Sequence, residues 1–301
     1  MAVGPGDNGH EPGSVEFMCG LKILVWPEYV QDKFCGVSSR MQPNTIPTSE
    51  LKDLFPGIQD SAGLVVPSHI FEQNDYDMPF ALVMEQAAIA AICKHLRPKL
   101  LLEFGTAEGQ GAFTLAANSP SDSRVITVDL ADPNSYTERC LMGGALGTCF
   151  VNDPTVSGKI QQVLRRDPEG TPSALSALAG QFDLIHVDGD HSYHGVEVDT
   201  DCAIQLGRQD TYFLWHDYYA FLDDGKQPTL SRGVYPYLND LQARGDITLR
   251  HILGTYIVIG HRSWTEDTPG TIVQPGELPY PYGERIVRLW ETGRVDAVNR
   301  P

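Results

Sequence analysis

The sequence predicts an α/β protein with a Rossmann-like, doubly wound sheet that is mostly parallel. Three observations lead to this prediction. Short apolar runs alternate with segments of helical pattern from residue 98 onward, an order typical of right-handed βαβ units. The first apolar run leads into a glycine-rich loop, and acidic residues end or follow the next runs. The last two runs are separated by a short turn, which indicates an antiparallel hairpin at the end of the sheet.

The predicted elements follow in a regular order. An amphipathic helix over 81–97 stops before Pro98. The five strands of the alternating region are predicted over 99–104, 124–129, 160–164, 182–188 and 211–215. The helices between them are predicted over 111–118, 171–179 and 191–206. The hairpin spans 247–252 and 255–259, and a last short helix spans 284–292.

Composition and length indicate a soluble globular chain with one main domain. The 301 residues are 42% hydrophobic and 20% charged, which is ordinary for such proteins. Residues 1–80 contain only short apolar pieces between prolines, and residues 262–301 begin rich in proline and glycine. We therefore predict an irregular N-terminal extension over 1–80, a main domain over 81–261 and a C-terminal arm over 262–301. The extension is interpreted as a lid or as an assembly arm, and an assembly arm would make the protein a homo-oligomer.

Charge and apolar patterning limit the partners. Lys and Arg number 22 and Asp and Glu 39, which gives a formal net charge of −17 without a basic stripe; this disfavours nucleic acid. No apolar run approaches the roughly 20 residues that span a bilayer, and the N-terminus does not resemble a secretory signal. The six cysteines are scattered without a C-x-x-C pair, as in a reducing cytosol. We expect a cytoplasmic protein with a small-molecule substrate and neither nucleic acid nor membrane as partner.

The first strand of the alternating region leads into a loop with the pattern G-x-x-x-G-x-G. The dinucleotide fingerprint is G-x-G-x-x-G. Ala107 stands where a pyrophosphate needs glycine, and Glu108 brings a negative charge to that place, so a cationic ligand is favoured over a phosphate. The alternative is a strand-to-helix turn that needs glycine for its own geometry. The residues assigned to a cofactor here are Glu103, Gly105, Thr106, Ala107, Glu108, Gly109 and Gly111.

Two acidic residues extend this candidate site. Asp129 ends the second strand of the alternating region, where its carboxylate can accept both hydroxyls of a ribose. Asp167 follows the third strand and can accept from the exocyclic amine of an adenine. A glycine loop, a ribose-binding acid and an adenine-side acid together suit S-adenosylmethionine, which is positively charged at sulfur and carries no phosphate.

The stretch from residue 100 to about residue 259 resembles the class I S-adenosylmethionine-dependent methyltransferases. More narrowly, it resembles the branch with an Asp-Gly-x-His-Ser-Tyr element after the fourth strand, here residues 188–193. The resemblance implies a seven-stranded sheet with a C-terminal antiparallel hairpin. It also implies S-adenosylmethionine as cofactor, with Asp188 among the residues that contact it.

A second set of residues ends the fourth and fifth strands. Asp188 closes the fourth strand, and His216 and Asp217 close the fifth. Because carboxyl ends of neighbouring parallel strands lie side by side, we predict that these three residues hold a divalent metal. Such an ion lowers the pKa of a substrate hydroxyl. His191 lies three residues beyond Asp188 and is the predicted catalytic base, with Asp188 as its catalytic partner.

This layout is similar to metal-dependent O-methyltransferases that act on catechols and on macrolide sugars. His216 departs from that family, which usually has an acid there. Mg²⁺ or Mn²⁺ is the predicted ion, with Fe²⁺ or no metal as alternatives. Asp188 and Asp190 could instead cap the following helix, and His216 and Asp217 could form a hydrogen-bonded pair that shapes the pocket. His186, inside the fourth strand, is interpreted as a core histidine.

The leading functional hypothesis is O-methylation of a hydroxylated small molecule, such as a sugar or a natural product in a biosynthetic route. One alternative is a metal-independent N- or C-methyltransferase. Another is a non-catalytic partner subunit that binds S-adenosylmethionine. An NAD-dependent dehydrogenase is disfavoured by Glu108 and by the glycine spacing.

Overall fold

The computed structural model describes residues 13–16, 22–25, 44–67, 78–131, 146–166, 173–218, 233–273 and 295–298. The strands are β1 (Gly13–Glu16), β2 (Lys22–Val25), β3 (Thr48–Ser49), β4 (Leu64–Pro67), β5 (Leu100–Phe104), β6 (Arg124–Leu130), β7 (Ile160–Arg165), β8 (Phe182–Val187), β9 (Gly207–Trp215), β10 (Thr248–Ile252), β11 (Val258–His261) and β12 (Val295–Val298). The helices are α1 (Leu51–Leu54), α2 (Met78–Leu96), α3 (Gln110–Asn118), α4 (Thr148–Val151), α5 (Ser173–Ser176), α6 (Tyr193–Leu206) and α7 (Val234–Arg244).

The main sheet has eight strands in the order β3-β10-β11-β9-β8-β5-β6-β7. The pairs among β7, β6, β5, β8 and β9 are parallel, whereas β11 runs antiparallel to both β9 and β10. All strands of the parallel block therefore end on one edge of the sheet. In open α/β sheets this carboxyl edge is where ligands bind.

Helices cover both faces of the sheet, as the doubly wound fold requires. Residues of α2 and α3 pack with β4 on one face, where Leu101 of β5 is buried. Residues of α6 and α7 cover the other face, where Leu102 and Phe104 of the same strand are buried. This division follows from the strand geometry, because successive side chains point to opposite faces. The prediction of a doubly wound α/β fold is confirmed.

The sheet departs from the predicted seven strands. Its eighth strand, β3, comes from the N-terminal extension and pairs in parallel with β10 over His251–Thr48 and Ile252–Ser49. The predicted hairpin is present beside the parallel block, where β11 lies between β9 and β10. A strand of two residues is too short to show a periodic pattern, so β3 cannot be recognised from its sequence. The order in which strands pair depends on contacts between distant segments, and no single segment encodes it.

Other differences concern helices. Helix α7 follows residues 219–232 and was not predicted, and α5 is shorter than the helix predicted over 171–179. The helix predicted over 284–292 lies outside the described residues. Helix α2 ends at Leu96, after which Arg97 adopts a left-handed φ of 53° before Pro98. Within the described part of the chain, no helix is both long and apolar enough to cross a membrane.

Residues of the N-terminal extension are fastened to the main domain near the carboxyl end of β9. The Tyr218 hydroxyl donates to Oδ1 of Asn44 at 2.7 Å and accepts from Nδ2 of Asn239 at 2.9 Å. The backbone amide of Thr45 donates to Oδ1 of Asn239 at 2.7 Å. This network links the extension, the residue after Asp217 and α7, so it fixes the backbone that carries the candidate site.

Candidate active site at the strand ends

The glycine loop, residues 105–111, connects β5 to α3. Gly105 has a φ of +92°, and a Cβ built there would lie 1.8 Å from the carbonyl oxygen of Asp188. Its amide donates to the carbonyl of Val128 at 2.8 Å, and the amide of Asp188 donates to the carbonyl of Phe104 at 2.8 Å. Only glycine fits this place, because the ends of three neighbouring strands meet there.

The other glycines of the loop are also required by protein neighbours. A Cβ at Gly109 would lie 2.5 Å from the ring of Phe150, and one at Gly111 would lie 2.0 Å from Oε1 of Glu103. Glu103 is 1% exposed, accepts from the Thr127 hydroxyl at 2.7 Å, and faces the interior under α3. The structure thus gives a packing reason for these two glycines, which is the alternative that the sequence left open; their assignment to a cofactor stays a prediction. Close packing of protein against protein explains the glycines, and the Glu103 carboxylate lies directly against Gly111.

The side chain of Asp129, at the end of β6, binds backbone amides of the glycine loop. Its Oδ2 accepts from the amides of Thr106 and Ala107, both at 3.0 Å, and its Oδ1 accepts from the amide of Leu130 at 2.7 Å. A carboxylate offers about four acceptor positions. Asp129 thus has one acceptor position left for a further strong hydrogen bond, and its contact with the ribose hydroxyls of a cofactor stays a prediction.

The remaining residues assigned to the cofactor lie in or beside the same loop. Ala107 has a φ of 42°, so it adopts the left-handed conformation in which glycine is more stable. Thr106 is 2% exposed and Glu108 5% exposed. Asp167, the predicted adenine-side acid, lies outside the described residues. The assignment of these residues to a cofactor stays a prediction.

The ends of β8 and β9 bring together four titratable side chains, which we call the strand-end cluster: Asp188, His191, His216 and Asp217. The amide of His216 donates to the carbonyl of Val187 at 3.1 Å, which sets the two strand ends side by side. Asp217 has a φ of 59°, a left-handed conformation that Asp tolerates better than most residues. Such strained backbone is typical of functional sites.

Short distances join the four side chains. Nδ1 of His216 lies 2.9 Å from Oδ1 of Asp188 and 3.2 Å from Oδ1 of Asp217. His191 lies between the same acids, with Nε2 3.3 Å from Oδ1 of Asp188 and Nδ1 3.4 Å from Oδ2 of Asp217. The structure thus brings the predicted base and all three predicted metal-binding residues to one place.

A fifth residue, Glu85 of α2, joins this cluster and was missed by sequence reasoning. Its Oε2 lies 2.6 Å from Nε2 of His216, and its Oε1 accepts from the amide of Tyr256 at 2.9 Å. In the sequence, nothing distinguishes Glu85 from the other polar residues of an amphipathic helix, and it lies 131 positions before His216. No local sequence signal shows which strand end that helix reaches.

Burial and charge act in opposite directions on these groups. Burial disfavours the protonated imidazoles, but the neighbouring acids outweigh it and raise the pKa of His216 well above its ordinary value. The pKa of His191 is also raised, since its bonds to Asp188 and the charge of Asp217 exceed the effect of burial. Burial also opposes ionisation of Asp188, yet the adjacent histidines hold its pKa well below its usual range. Burial raises the pKa of Glu85, although the charge of His216 and its hydrogen bond oppose that rise.

The residues fit a divalent cation. Two ligand atoms at right angles around an ion, each bonded at about 2.1 Å, lie about 3.0 Å apart. Oδ1 of Asp188 lies at similar distances from Nε2 of His191, 3.3 Å, and from Nδ1 of His216, 2.9 Å. Nδ1 of His216 is buried and makes no hydrogen bond of acceptable geometry, although it is close to Asp188. Among the described residues, two sets have potential ligand atoms within 4.8 Å of one another: Asp188, His191, His216 and Glu85, His216, Asp217. Both sets contain His216, and Asp217 falls in the set with Glu85; the predicted grouping of Asp188, His216 and Asp217 stays a prediction.

The start of α6 is capped by residues other than Asp188. Ser192 is the N-cap, and its hydroxyl accepts from the amide of Gly195 at 3.0 Å. Asp190 accepts from the amide and the hydroxyl of Ser192 at 3.0 and 2.9 Å. Asp190 thus supports the cap, which leaves Asp188 to the cluster. His186 is fully buried in the core, where Nδ1 lies 3.4 Å from Oε1 of Glu103 and Nε2 makes no hydrogen bond.

The region that contains both the glycine loop and the strand-end cluster is similar to a known protein family. Residues 102–218 match a family model described as a methyltransferase domain. The chain contains a methyltransferase domain. The enzyme class predicted from the sequence is thereby confirmed, and the match extends from β5 to the residue after Asp217. No match is found among curated proteins.

Solved structures matched by the chain include three methyltransferases. The O-methyltransferase TomG from Streptomyces achromogenes, involved in tomaymycin synthesis and solved in complex with SAM, is 16% identical over 69% of this chain and 90% of that chain, with a TM-score of 0.45. The O-methyltransferase from Bacillus cereus in complex with SAH is 15% identical over 59% and 80%, with a TM-score of 0.41. The SAH-bound methyltransferase PaMTH1 from Podospora anserina is 14% identical over 60% and 79%, with a TM-score of 0.45.

Proposed function

We propose that the protein transfers a methyl group from S-adenosylmethionine to a hydroxyl oxygen of a small molecule. The observation that carries this proposal is the strand-end cluster in a methyltransferase domain. Two carboxylates and two imidazoles meet at the ends of β8 and β9, within hydrogen-bond distance of one another. Groups with strongly shifted pKa values gathered at a ligand-binding edge are typical of active sites.

S-adenosylmethionine supplies the activated methyl group. Its support in this chain is the glycine loop and Asp129 at the adjacent strand ends, where one acceptor position of the carboxylate remains for a ribose hydroxyl. Glu108 adds a second carboxylate to the loop. These acids favour a sulfonium compound over the phosphates of a dinucleotide.

His191 is positioned to take the proton of the substrate hydroxyl. In the transfer, the oxygen forms a bond to the methyl carbon, the bond between that carbon and sulfur breaks, and the hydroxyl proton passes to a ring nitrogen of His191. Asp188 and Asp217 hold the ring from both nitrogens, which orients it and stabilises the imidazolium product. A divalent ion, when bound, lowers the pKa of a hydroxyl that it contacts and offsets the acids that favour a proton on His191.

A turnover assay tests this function. The purified protein is incubated with S-adenosylmethionine and panels of catechols, sugars and other hydroxylated compounds, with Mn²⁺, Mg²⁺ or EDTA, and S-adenosylhomocysteine is measured. We expect product on at least one hydroxylated class, with oxygen as the methylated atom by mass spectrometry. Failure to bind S-adenosylhomocysteine by calorimetry would contradict the proposal, as would methylation of nitrogen or carbon only.

A metal-independent methyltransferase is the second candidate, because protons on the two histidines of the cluster can supply the positive charge that an ion would otherwise supply. The acids raise the pKa of both histidines, so two imidazolium charges can balance the carboxylates without an ion. Full turnover in EDTA, with no metal by elemental analysis, would favour this candidate over the metal-assisted reaction.

A further inference from the structure

We propose that Glu85 is a positioning residue that turns His216 so that its Nδ1 can bind a divalent ion; this inference rests on the proposed function. Glu85 lies in α2, outside the residues 102–218 that match the methyltransferase domain. Its side chain is 2% exposed. A carboxylate is costly to bury unless it is paired and hydrogen-bonded, so its partners define what it does.

Both oxygens of Glu85 have fixed partners. The amide of Tyr256, in the turn between β10 and β11, donates to Oε1 at 2.9 Å. Oε2 is then directed to Nε2 of His216 at 2.6 Å, within the range of a charge-assisted hydrogen bond. Helix α2 and the β10–β11 turn thus hold the carboxylate from opposite ends, and the imidazole is held in turn.

The orientation of the ring follows from this bond. Because Nε2 faces Oε2 of Glu85, the other ring nitrogen faces the acids, with Nδ1 2.9 Å from Asp188 and 3.2 Å from Asp217. This Nδ1 is buried and makes no hydrogen bond of acceptable geometry. A histidine that donates one N–H to a carboxylate and offers the other nitrogen to a metal is a recurrent arrangement in metal sites. It also explains how histidine can serve at position 216, where the resembled family has an acid.

A metal titration of the full chain tests the role of Glu85. Free Mn²⁺ is measured by electron paramagnetic resonance for wild type, Glu85→Gln and Gln86→Leu after removal of bound metal. Gln86 is the matched control, since it is 3% exposed on the same helix and accepts from the Thr114 hydroxyl. We expect Glu85→Gln to weaken Mn²⁺ binding about 10–100-fold and Gln86→Leu to bind as wild type does. Equal affinity of Glu85→Gln and wild type, an equal loss in both variants, or no Mn²⁺ binding by wild type would overturn the inference.

A measurement on the unaltered chain covers the case in which Glu85→Gln does not fold. In protein labelled with ¹⁵N-histidine and loaded with Zn²⁺, we expect the ring proton of His216 on Nε2. A proton on Nδ1 would overturn the inference. Calorimetry with S-adenosylhomocysteine in EDTA tests the proposed function separately, because that binding does not require the ion.

Discussion

Two regions of the carboxyl edge, the glycine loop and the strand-end cluster, satisfy their polar groups in different ways. In the loop, Asp129 accepts three backbone N–H groups, and the glycines are required by close protein neighbours. In the cluster, acids and histidines crowd one another, and Nδ1 of His216 makes no hydrogen bond of acceptable geometry although it lies 2.9 Å from Oδ1 of Asp188. The loop therefore maintains a shape, whereas the cluster concentrates charge that a ligand can use.

Backbone strain is common to both regions but serves different purposes. Ala107 in the loop and Asp217 in the cluster both have left-handed φ values, 42° and 59°. At Ala107 the strain accompanies amide groups that converge on Asp129. At Asp217 it directs a carboxylate to His191 and His216. Strain alone consequently does not identify the catalytic region, and the charge around it does.

The largest expected effect concerns the base. His191→Ala should lower kcat about 10²–10⁴-fold, equivalent to about 3–5 kcal/mol in the barrier, because the proton acceptor is lost. Affinity for S-adenosylhomocysteine should stay unchanged. His194→Ala is the control, since His194 is exposed on the same helix. Steady-state kinetics on an accepted substrate decide the matter: near-normal kcat for His191→Ala would place the base elsewhere.

The next effect concerns the shape of the loop. Gly105→Ala should reduce the free energy of unfolding by about 3 kcal/mol or more, because the new methyl group would meet the Asp188 carbonyl. Gly57→Ala is the matched control: its φ of +88° is similar, but nothing lies within 4 Å of a Cβ there, so conformational strain of about 1 kcal/mol is all that remains. Urea denaturation compares the two. Similar losses in both variants would show that packing at Gly105 is unimportant.

A smaller effect is expected for the acid that holds the loop. Asp129→Asn replaces an acceptor oxygen with a donor and should weaken binding of S-adenosylhomocysteine by about 1–3 kcal/mol. Asp183→Asn is the control at the opposite end of β5, where Oδ2 of Asp183 accepts from the amides of Lys99 and Leu100 at 2.6 and 2.9 Å. Calorimetry should find a loss for Asp129→Asn only. Equal affinity in both variants would remove Asp129 from the cofactor site.

The smallest effect is a pH dependence of stability. The raised pKa values of His216 and His191 mean that their protonated forms stabilise the folded state fully below about pH 6.5, the unfolded value. This stabilisation is lost as the pH rises through the pKa values that the two histidines have in the folded state. In EDTA, the free energy of unfolding should fall by about 1 kcal/mol for each unit of pKa difference as the solution becomes alkaline, and His216→Asn should reduce that slope. Identical slopes would contradict the charge arrangement inferred for the cluster.

The fold could be predicted where a segment carries its own pattern. Strands β5, β6 and β8 are dense in apolar residues, and α2 and α3 have helical patterns, so each was found within a few residues. Strand β3 was missed because two residues have no period. Helix α7 was missed because tyrosines and a proline in its first turn do not show the usual pattern.

The part of the site that could be predicted consists of residues that the strand order brings together. Asp188, His191, His216 and Asp217 follow the ends of adjacent strands, and these strands are the ones the sequence reveals. Glu85 could not be found, because its place depends on how α2 packs over the sheet. The partners of Asp129 could not be foreseen either, since the path of the loop backbone decides where its amides point.

The central claim is that the strand-end cluster holds a divalent ion through Nδ1 of His216. Anomalous diffraction from crystals grown with Mn²⁺ and S-adenosylhomocysteine tests it most directly. The account predicts a manganese peak about 2.1–2.3 Å from that nitrogen and from Oδ1 of Asp188, with Nε2 still bonded to Glu85. Well-ordered side chains in the cluster with no manganese peak between them would contradict the claim.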